Sequence, residues 1–264
     1  MEHSSAVTNT LKNRFDGKLM AVLGDSLSAF EGHVPEGYAV NSLFSLRSSN
    51  VNRVEDMWWH IVARELGLIP GTVGAWAGSF VTPSINSPKT PESAMTHQSR
   101  IDAIRRAGTP DVIFFWGGTN DVYRCHTMKN PWFEVGEFTP DVADGVLGDD
   151  ERNLESLAES YCRVLTRLKK TCPEAEIFCI TPMETGIYTG TKCQYITSDG
   201  CDRVAGILRE ICDFYGVYFI DMRGCRTSSD REYADGLHPT LPGMRHIAEH
   251  ILRELGKLFP DTEN

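Results

Sequence analysis

The sequence predicts an α/β protein: a single domain built as a three-layer αβα sandwich around a parallel sheet of about five strands. Three observations carry this. Short, continuous apolar runs alternate with amphipathic stretches along the chain; strands that are apolar on both sides require helices on both sides. Each apolar run ends at once in glycine or polar residues, the punctuation of strand ends. No linker and no internal repeat divides the 264 residues, a length that one α/β domain accommodates with a core large enough to fold unaided.

The elements follow in order. Met1 to Thr10 is polar and Ser-rich, without the apolar centre of a signal peptide; residues 1–16 are expected to form a flexible segment, with the domain over 17–264. Lys18 to Leu23 is a buried strand. Asn52 to Leu66 places Met57, Trp58, Ile61, Val62 and Leu66 at three-to-four spacing, a helix with Asn52 as N-cap, Glu55 completing a capping-box pattern and Gly67 as its stop. A short strand is expected near Thr72 to Gly74, a helix over Glu92 to Ala107, and a strand over Asp111 to Trp116. Val122 to Gly148 is long, mixed and poorly periodic, and reads as a loop of functional length. Asp150 to Thr171 is the clearest helix, with Leu154, Leu157, Ala158, Tyr161, Val164, Leu165 and Leu168 on one face and Pro173 beyond its end. Glu176 to Ile180 is a strand, Thr181 to Gly200 a second long loop, Asp202 to Tyr215 a helix and Val217 to Ile220 a strand. Asp230 to His238 is a polar turn, and Leu241 to Leu258 closes the chain as a helix.

Composition narrows the function. Lys and Arg number 26 against 36 Asp and Glu, a net charge of −10. That balance disfavours nucleic acid or an anionic membrane as the main partner. No apolar run approaches the length needed to span a bilayer, so a cytoplasmic protein is expected. Eight cysteines are scattered singly with no C-x-x-C pair; reduced, mostly buried thiols are expected, with Cys193 and Cys201, flanking a loop, the nearest approach to a bridge.

In a parallel sheet, ligands bind beyond the carboxyl ends of the strands. There the chain carries Gly24-Asp25-Ser26-Leu27, then Ala77-Gly78-Ser79, then Gly117-Gly118-Thr119-Asn120-Asp121, and finally Asp235-Gly236-Leu237-His238. Serine is a poor nucleophile until a base lies within hydrogen-bond reach, and His238 suits that role. Asp235, three residues earlier, reaches the Nδ1–H of His238 across a tight turn and fixes its tautomer. The N–H groups of Ser26 and Gly78 and the Asn120 amide could serve a developing oxyanion. Each residue also has a plainer reading: Asp25 and Ser26 as caps, Asn120 and Asp121 as turn formers, His238-Pro239 as the opening of the last helix.

The four blocks together resemble the SGNH (GDSL-type) hydrolases. They read Val22-Leu-Gly-Asp-Ser-Leu-Ser28, Ala75-Trp-Ala-Gly-Ser79, Gly118-Thr-Asn-Asp121 and Asp235-Gly-Leu-His238, in family order and across most of the chain. The second block departs from the family pattern, which often begins with Asn and carries an extra glycine; Val73 and Ala75 stand at those places. The resemblance implies a flavodoxin-like fold, Ser26 as nucleophile, Asp235 and His238 as the rest of a triad, Gly78 and Asn120 as oxyanion donors beside Ser26, and no metal or organic cofactor.

Other patterns compete weakly. His246-Ile-Ala-Glu-His250 matches H-x-x-E-H, an inverted zinc-protease motif, but the chain stops soon after it, and the two histidines read as solvent-facing. Cys125-His126 lacks an orienting partner for thiol chemistry. Neither Gly-x-Ser-x-Gly nor a phosphate-binding glycine loop occurs. The aromatic residues Tyr38, Trp76, Tyr123, Trp132, Phe133 and Tyr188 could line an acyl or sugar pocket or simply pack their loops. Trp76, Tyr123, Trp132 and Glu184 are taken as substrate contacts, with Glu31 and Arg124 as further polar candidates.

The expected function is a serine esterase forming an acyl-enzyme on small-molecule or oligosaccharide esters. Short acyl groups are favoured because no amphipathic lipid-binding segment is evident; acetylated sugars follow from the resemblance alone. The alternatives are an acyltransferase, a lysophospholipase or thioesterase with the same triad, and a carbohydrate-binding module whose triad is vestigial.

Overall fold

This computed structural model describes residues 2–40, 49–83, 91–127, 134–146, 154, 156–184, 198–225 and 232–260, and among the described residues are five parallel strands and eight α-helices. In chain order the elements are α1 (Glu2–Phe15), β1 (Leu19–Gly24), α2 (Trp58–Leu66), β2 (Ile69–Ala75), α3 (Gln98–Ala103), β3 (Val112–Trp116), α4 (Thr119–Thr127), α5 (Pro140–Gly145), α6 (Leu157–Thr171), β4 (Glu176–Ile180), α7 (Ser198–Tyr215), β5 (Tyr218–Ile220) and α8 (Leu241–Leu258).

The sheet order is β2-β1-β3-β4-β5, and every pair is parallel. Side chains alternate across a strand, so each run feeds two cores. Met20, Val22, Val112, Phe114, Trp116, Phe178 and Ile180 pack with Leu11 and Phe15 of α1, Trp58, Val62 and Leu66 of α2, and Met244, Ile247, Ile251 and Leu255 of α8. Ala21, Leu23, Ile113, Phe115, Ile177 and Cys179 pack with Ile101 of α3, Leu157, Tyr161, Leu165 and Leu168 of α6, and Val204, Leu208 and Ile211 of α7. This is the expected three-layer sandwich. The chain leaves β1 toward β2 on one side and crosses to β3 on the other. The carboxyl ends of β1 and β3 therefore flank the topological switch point, where a crevice opens in such sheets.

Several expectations need correction. Residues 1–16 are not a flexible lead-in, because α1 runs to Phe15, and Leu11 and Phe15 are buried in the core. The helix expected over Asn52 to Leu66 is broken at Met57, whose backbone is extended (φ −72°, ψ 141°). A separate 3₁₀ turn, Val54–Asp56, precedes the break. Asp56, not Glu55, takes the N–H groups of Asn52 and Arg53, at 3.3 and 3.1 Å. β2 is longer than expected. The helix expected over Glu92 to Ala107 shortens to α3, which starts where the His97 ring accepts the Ser99 N–H at 3.3 Å. The stretch read as one loop from Val122 to Gly148 holds most of α4 and all of α5, the latter opened by Pro140 at its first position. α6 begins at Leu157 rather than Asp150, where Ser156 and Glu159 cap each other's N–H groups at 3.2 and 2.8 Å. α7 starts four residues earlier than expected, at Ser198.

Among the described residues no helix is long and apolar enough to cross a membrane. Cys162, Cys172, Cys179, Cys201, Cys212 and Cys225 are buried free thiols, and burial pushes that of Cys201 up to about 12; Cys193 lies outside the described residues.

Candidate active site

β1 ends by delivering Asp25 and Ser26 to the switch point in a tight turn. Asp25 Oδ1 accepts the Leu27 N–H at 3.0 Å, and the Asp25 carbonyl accepts the Ser28 N–H at 3.1 Å. Two tryptophans at the start of α2 clamp the far side of this turn. Trp58 Nε1 donates to Ser28 Oγ at 3.2 Å and Trp59 Nε1 to the Ser28 carbonyl at 3.0 Å. Neither contact is legible in the sequence, because each pairs residues some thirty positions apart.

His238 comes from the loop before α8. That loop is pinned by the Ala234 N–H on the His238 carbonyl and by the Thr240 N–H on the Glu232 carbonyl, both at 2.8 Å. Asp235 Oδ1 accepts the His238 and Leu237 N–H groups at 2.7 and 3.0 Å. Its Oδ2 lies 2.7 Å from His238 Nδ1, and His238 Nε2 lies 3.0 Å from Ser26 Oγ. Burial pushes the Asp235 carboxyl up, but the hydrogen bonds from the His238 ring, the His238 and Leu237 backbone and the histidine's charge together hold it below the ordinary carboxylate range. An ionised carboxylate only accepts. The proton on the ring therefore sits on Nδ1, and Nε2 presents its lone pair to the serine hydroxyl. The structure thus places Ser26, His238 and Asp235 side by side.

Gly78 sits in the turn after β2 at φ 77°, a backbone region that side chains rarely adopt. Its neighbour closes the turn, Ser79 N donating to the Trp76 carbonyl at 3.0 Å. Asn120 stands in the first turn of α4, where Nδ2 donates to the Ser79 carbonyl at 2.8 Å. One amide hydrogen of Asn120 is thus spent on fixing the turn, and the second is left over. The N–H groups of Ser26 and Gly78 find no acceptor among the described residues. Between β3 and α4, Gly118 runs at φ 95°, and a side chain there would collide with the Tyr161 hydroxyl. That hydroxyl donates to the Gly117 carbonyl at 3.0 Å and holds the loop. Asp121 ties α4 to the other wall, accepting from Val81 N, Thr82 N and Thr82 Oγ1 at 2.9, 3.1 and 2.7 Å. It is structural, as its position suggested.

The expected substrate contacts are placed unevenly. Trp76 is half-buried on the Gly78 turn and packs on Tyr38, ring centroids 4.5 Å apart. Tyr123 follows Asn120 by three residues on α4, so the two share a helix side. Glu184 is half-buried four residues past the end of β4. Trp132 lies outside the described residues, as do Phe133 and Tyr188. The competing zinc motif takes a different form from that expected. His250 is buried rather than solvent-facing, 2.7 Å from the Asp221 carbonyl through Nε2, while His246 pairs with Glu232 at 3.5 Å. His250 flanks Ile251 on the inward stripe of α8, which is wider than the sequence pattern implied. Among the described residues no group of three or more His, Cys, Asp or Glu is placed to hold a metal ion.

One neighbour of the site escaped the sequence altogether. Arg100 of α3 is fully buried, and Nη2 donates to the carbonyls of Gly24 and Gly74, at the carboxyl-terminal ends of β1 and β2, at 2.9 and 2.8 Å. A single cation in a helix reads as a surface residue, and its acceptors lie 26 and 76 positions away.

Comparison with known proteins bears on the family and the fold. The family model of GDSL-like lipases and acylhydrolases matches residues 18–255. No curated protein matches the chain by sequence. Among solved structures, a Bacteroides ovatus protein described as a GDSL-like lipase is 21% identical, with 92% of this chain and 99% of that chain covered and a TM-score of 0.66. A Bacteroides uniformis protein of the same description is 24% identical over 91% and 96%, with a TM-score of 0.62. A catalytic mutant of an acetylxylan esterase from Geobacillus stearothermophilus is 17% identical over 92% and 95%, with a TM-score of 0.55.

Proposed function

Because the chain belongs to the GDSL-like lipase/acylhydrolase family and is an ester-bond hydrolase, we propose that it is a serine esterase working through Ser26, His238 and Asp235, on short acyl esters, acetyl above all, carried by carbohydrates. The observation that carries the reading is the relay itself: His238 bridges Ser26 Oγ at 3.0 Å and Asp235 Oδ2 at 2.7 Å. Ser26 Oγ attacks the ester carbonyl as His238 Nε2 takes its proton. Asp235 holds the ring in place and stabilises the imidazolium. The charge that develops on the carbonyl oxygen meets the N–H groups of Ser26 and Gly78 and the remaining amide hydrogen of Asn120. The tetrahedral adduct expels the alcohol, which takes the proton from His238, and leaves an acyl-Ser26. Water, activated by the same imidazole, releases the acid.

The acyl length and the carrier are supported by the fold likeness to an acetylxylan esterase and by the aromatic surface of Trp76 and Tyr38 beside the Gly78 turn, since aromatic faces suit sugar rings. Hydrolysis of p-nitrophenyl esters of two to eight carbons, followed by acetate release from acetylated xylo-oligosaccharides, tests this. Turnover is expected to peak at acetyl. Ser26→Ala is expected to lower kcat by at least about 10⁴-fold while keeping the native circular dichroism. Wild-type turnover by that variant would refute the serine mechanism, and a preference for long chains would refute the substrate.

A further inference from the structure

We infer that Arg100 is a positioning residue of this esterase, its buried guanidinium setting the Gly78 turn against the Ser26 turn so that their N–H groups face one oxyanion. The inference rests on the serine-esterase reading above. Gly78 has no side chain and is exposed, so nothing of its own fixes its orientation; that falls to Ser79. Three groups of Ser79 are held at once. Its N–H bonds the Trp76 carbonyl at 3.0 Å, its carbonyl takes Asn120 Nδ2 at 2.8 Å, and its Oγ accepts from Arg100 Nη1 at 3.0 Å while donating to the Ser93 carbonyl at 2.9 Å. Arg100 Nη1 also reaches the Ser93 carbonyl. The other end of the fork, Nη2, holds the carbonyls of Gly24, the last residue of β1, and Gly74, the last but one of β2. Gly24 is two residues from Ser26. One rigid planar group therefore spans the nucleophile turn, the strand ends and the oxyanion turn.

The chemistry of the residue argues for positioning rather than bulk stability. Among the described residues no carboxylate pairs with Arg100 within salt-bridge distance, and Nε is buried without a partner. Burying a cation with no carboxylate in direct contact is costly, even with the more distant charge of Asp25 favouring it. It is offset here by four acceptors and by the rings of Tyr38 and Trp76, whose centroids lie 5.2 and 5.8 Å from the guanidinium carbon. Burial lowers the guanidinium to about 10, which leaves it charged at neutral pH. An apolar side chain would fill the same space without that cost, but it would take the guanidinium donor from the Gly74 carbonyl and the Ser79 hydroxyl and leave the Gly24 carbonyl with the Trp76 N–H alone. Lysine supplies the charge and lacks the fork.

The test is a double-mutant cycle on p-nitrophenyl acetate with Arg100→Lys, Ser79→Ala and the pair, each checked for native circular dichroism, with Ser26→Ala alongside. Ser79→Ala removes only the hydroxyl that links Arg100 to the turn. Its kcat is expected to fall about tenfold with KM within about threefold, since the oxyanion exists only in the transition state. Arg100→Lys is expected to lose about a hundredfold in kcat. The double variant should be no worse than Arg100→Lys, because the two residues act through one contact. Wild-type kcat in Ser79→Ala, or losses that simply multiply, would overturn the inference. If Arg100→Lys does not fold, Ser79→Ala alone decides by the same kcat criterion. Turnover by Ser26→Ala would instead overturn the underlying esterase reading, whatever the other variants do.

Discussion

At the scale of single residues, the account turns on where protons sit. Asp235 is held ionised by three N–H donors, so His238 carries its proton on Nδ1 and meets Ser26 as a base. Asn120 gives one amide hydrogen to the Ser79 carbonyl, and in the proposed mechanism the other serves the reacting oxygen. Asn120→Ala is therefore expected to lower kcat by about 10²–10³-fold with little change in KM, and unchanged kcat would remove it from the oxyanion site. Asp25 behaves oppositely to Asp235. It is buried, its Oδ2 has no partner, and burial raises it from 3.8 to about 6 against the lesser pull of the Leu27 N–H. Between about pH 4 and 6 the folded chain thus holds more protons than the unfolded one, so this group's contribution to stability is greatest below pH 4 and is lost as pH rises through 6. Asp25→Asn removes that titration. In urea unfolding at pH 4 and pH 7, the variant should gain on the wild type by about 2 kcal/mol between the two pH values; a pH-independent difference would contradict the shift. Ser26, Gly78, Asn120, Asp235 and His238 were legible because each lies in a short local block. Arg100 and the Ser28 clamp were not, since a contact across 30 or more positions leaves no local signature.

At the scale of elements, strands were read well and helix boundaries poorly, for one physical reason. A continuous apolar run marks a strand by itself, and β1, β3 and β4 fall within a residue of expectation. A helix starts where its first N–H groups find an acceptor, and the acceptors here are Asp56 for the turn before α2 and Ser156 for α6, both downstream of the starts that periodicity suggested. The largest misreading was α1. Its first ten residues look polar, yet Phe15 is fully buried, with Phe178 of β4 and Phe259 at centroid distances of 5.9 and 5.8 Å. Phe15→Ala is expected to cost about 3–5 kcal/mol in urea unfolding. A loss under 1 kcal/mol would return the N-terminal segment to the periphery of the fold.

At the scale of the molecule, the site follows from topology. The order β2-β1-β3-β4-β5 puts the topological switch point, where ligands bind in such sheets, at the carboxyl ends of β1 and β3, and the chain brings its turns there: Ser26 after β1, the glycine turn after β2, Asn120 after β3 and His238 before the last helix. Both helical layers matter to the chemistry. α2 clamps the Ser26 turn from one face through Trp58 and Trp59, and α3 reaches it from the other through Arg100. The layered fold was legible because alternation of apolar runs with amphipathic stretches is a property of the whole chain; the buried cross-links between layers are properties of pairs.

The most direct test of the central claim is the intact mass of the protein after brief exposure to a fluorophosphonate, with Ser26→Ala treated in parallel. A single adduct on the wild type and none on the variant is the predicted result, because only a hydroxyl primed by His238 and served by oxyanion donors reacts on that timescale. An unlabelled wild type, or an adduct that persists in the variant, would contradict it.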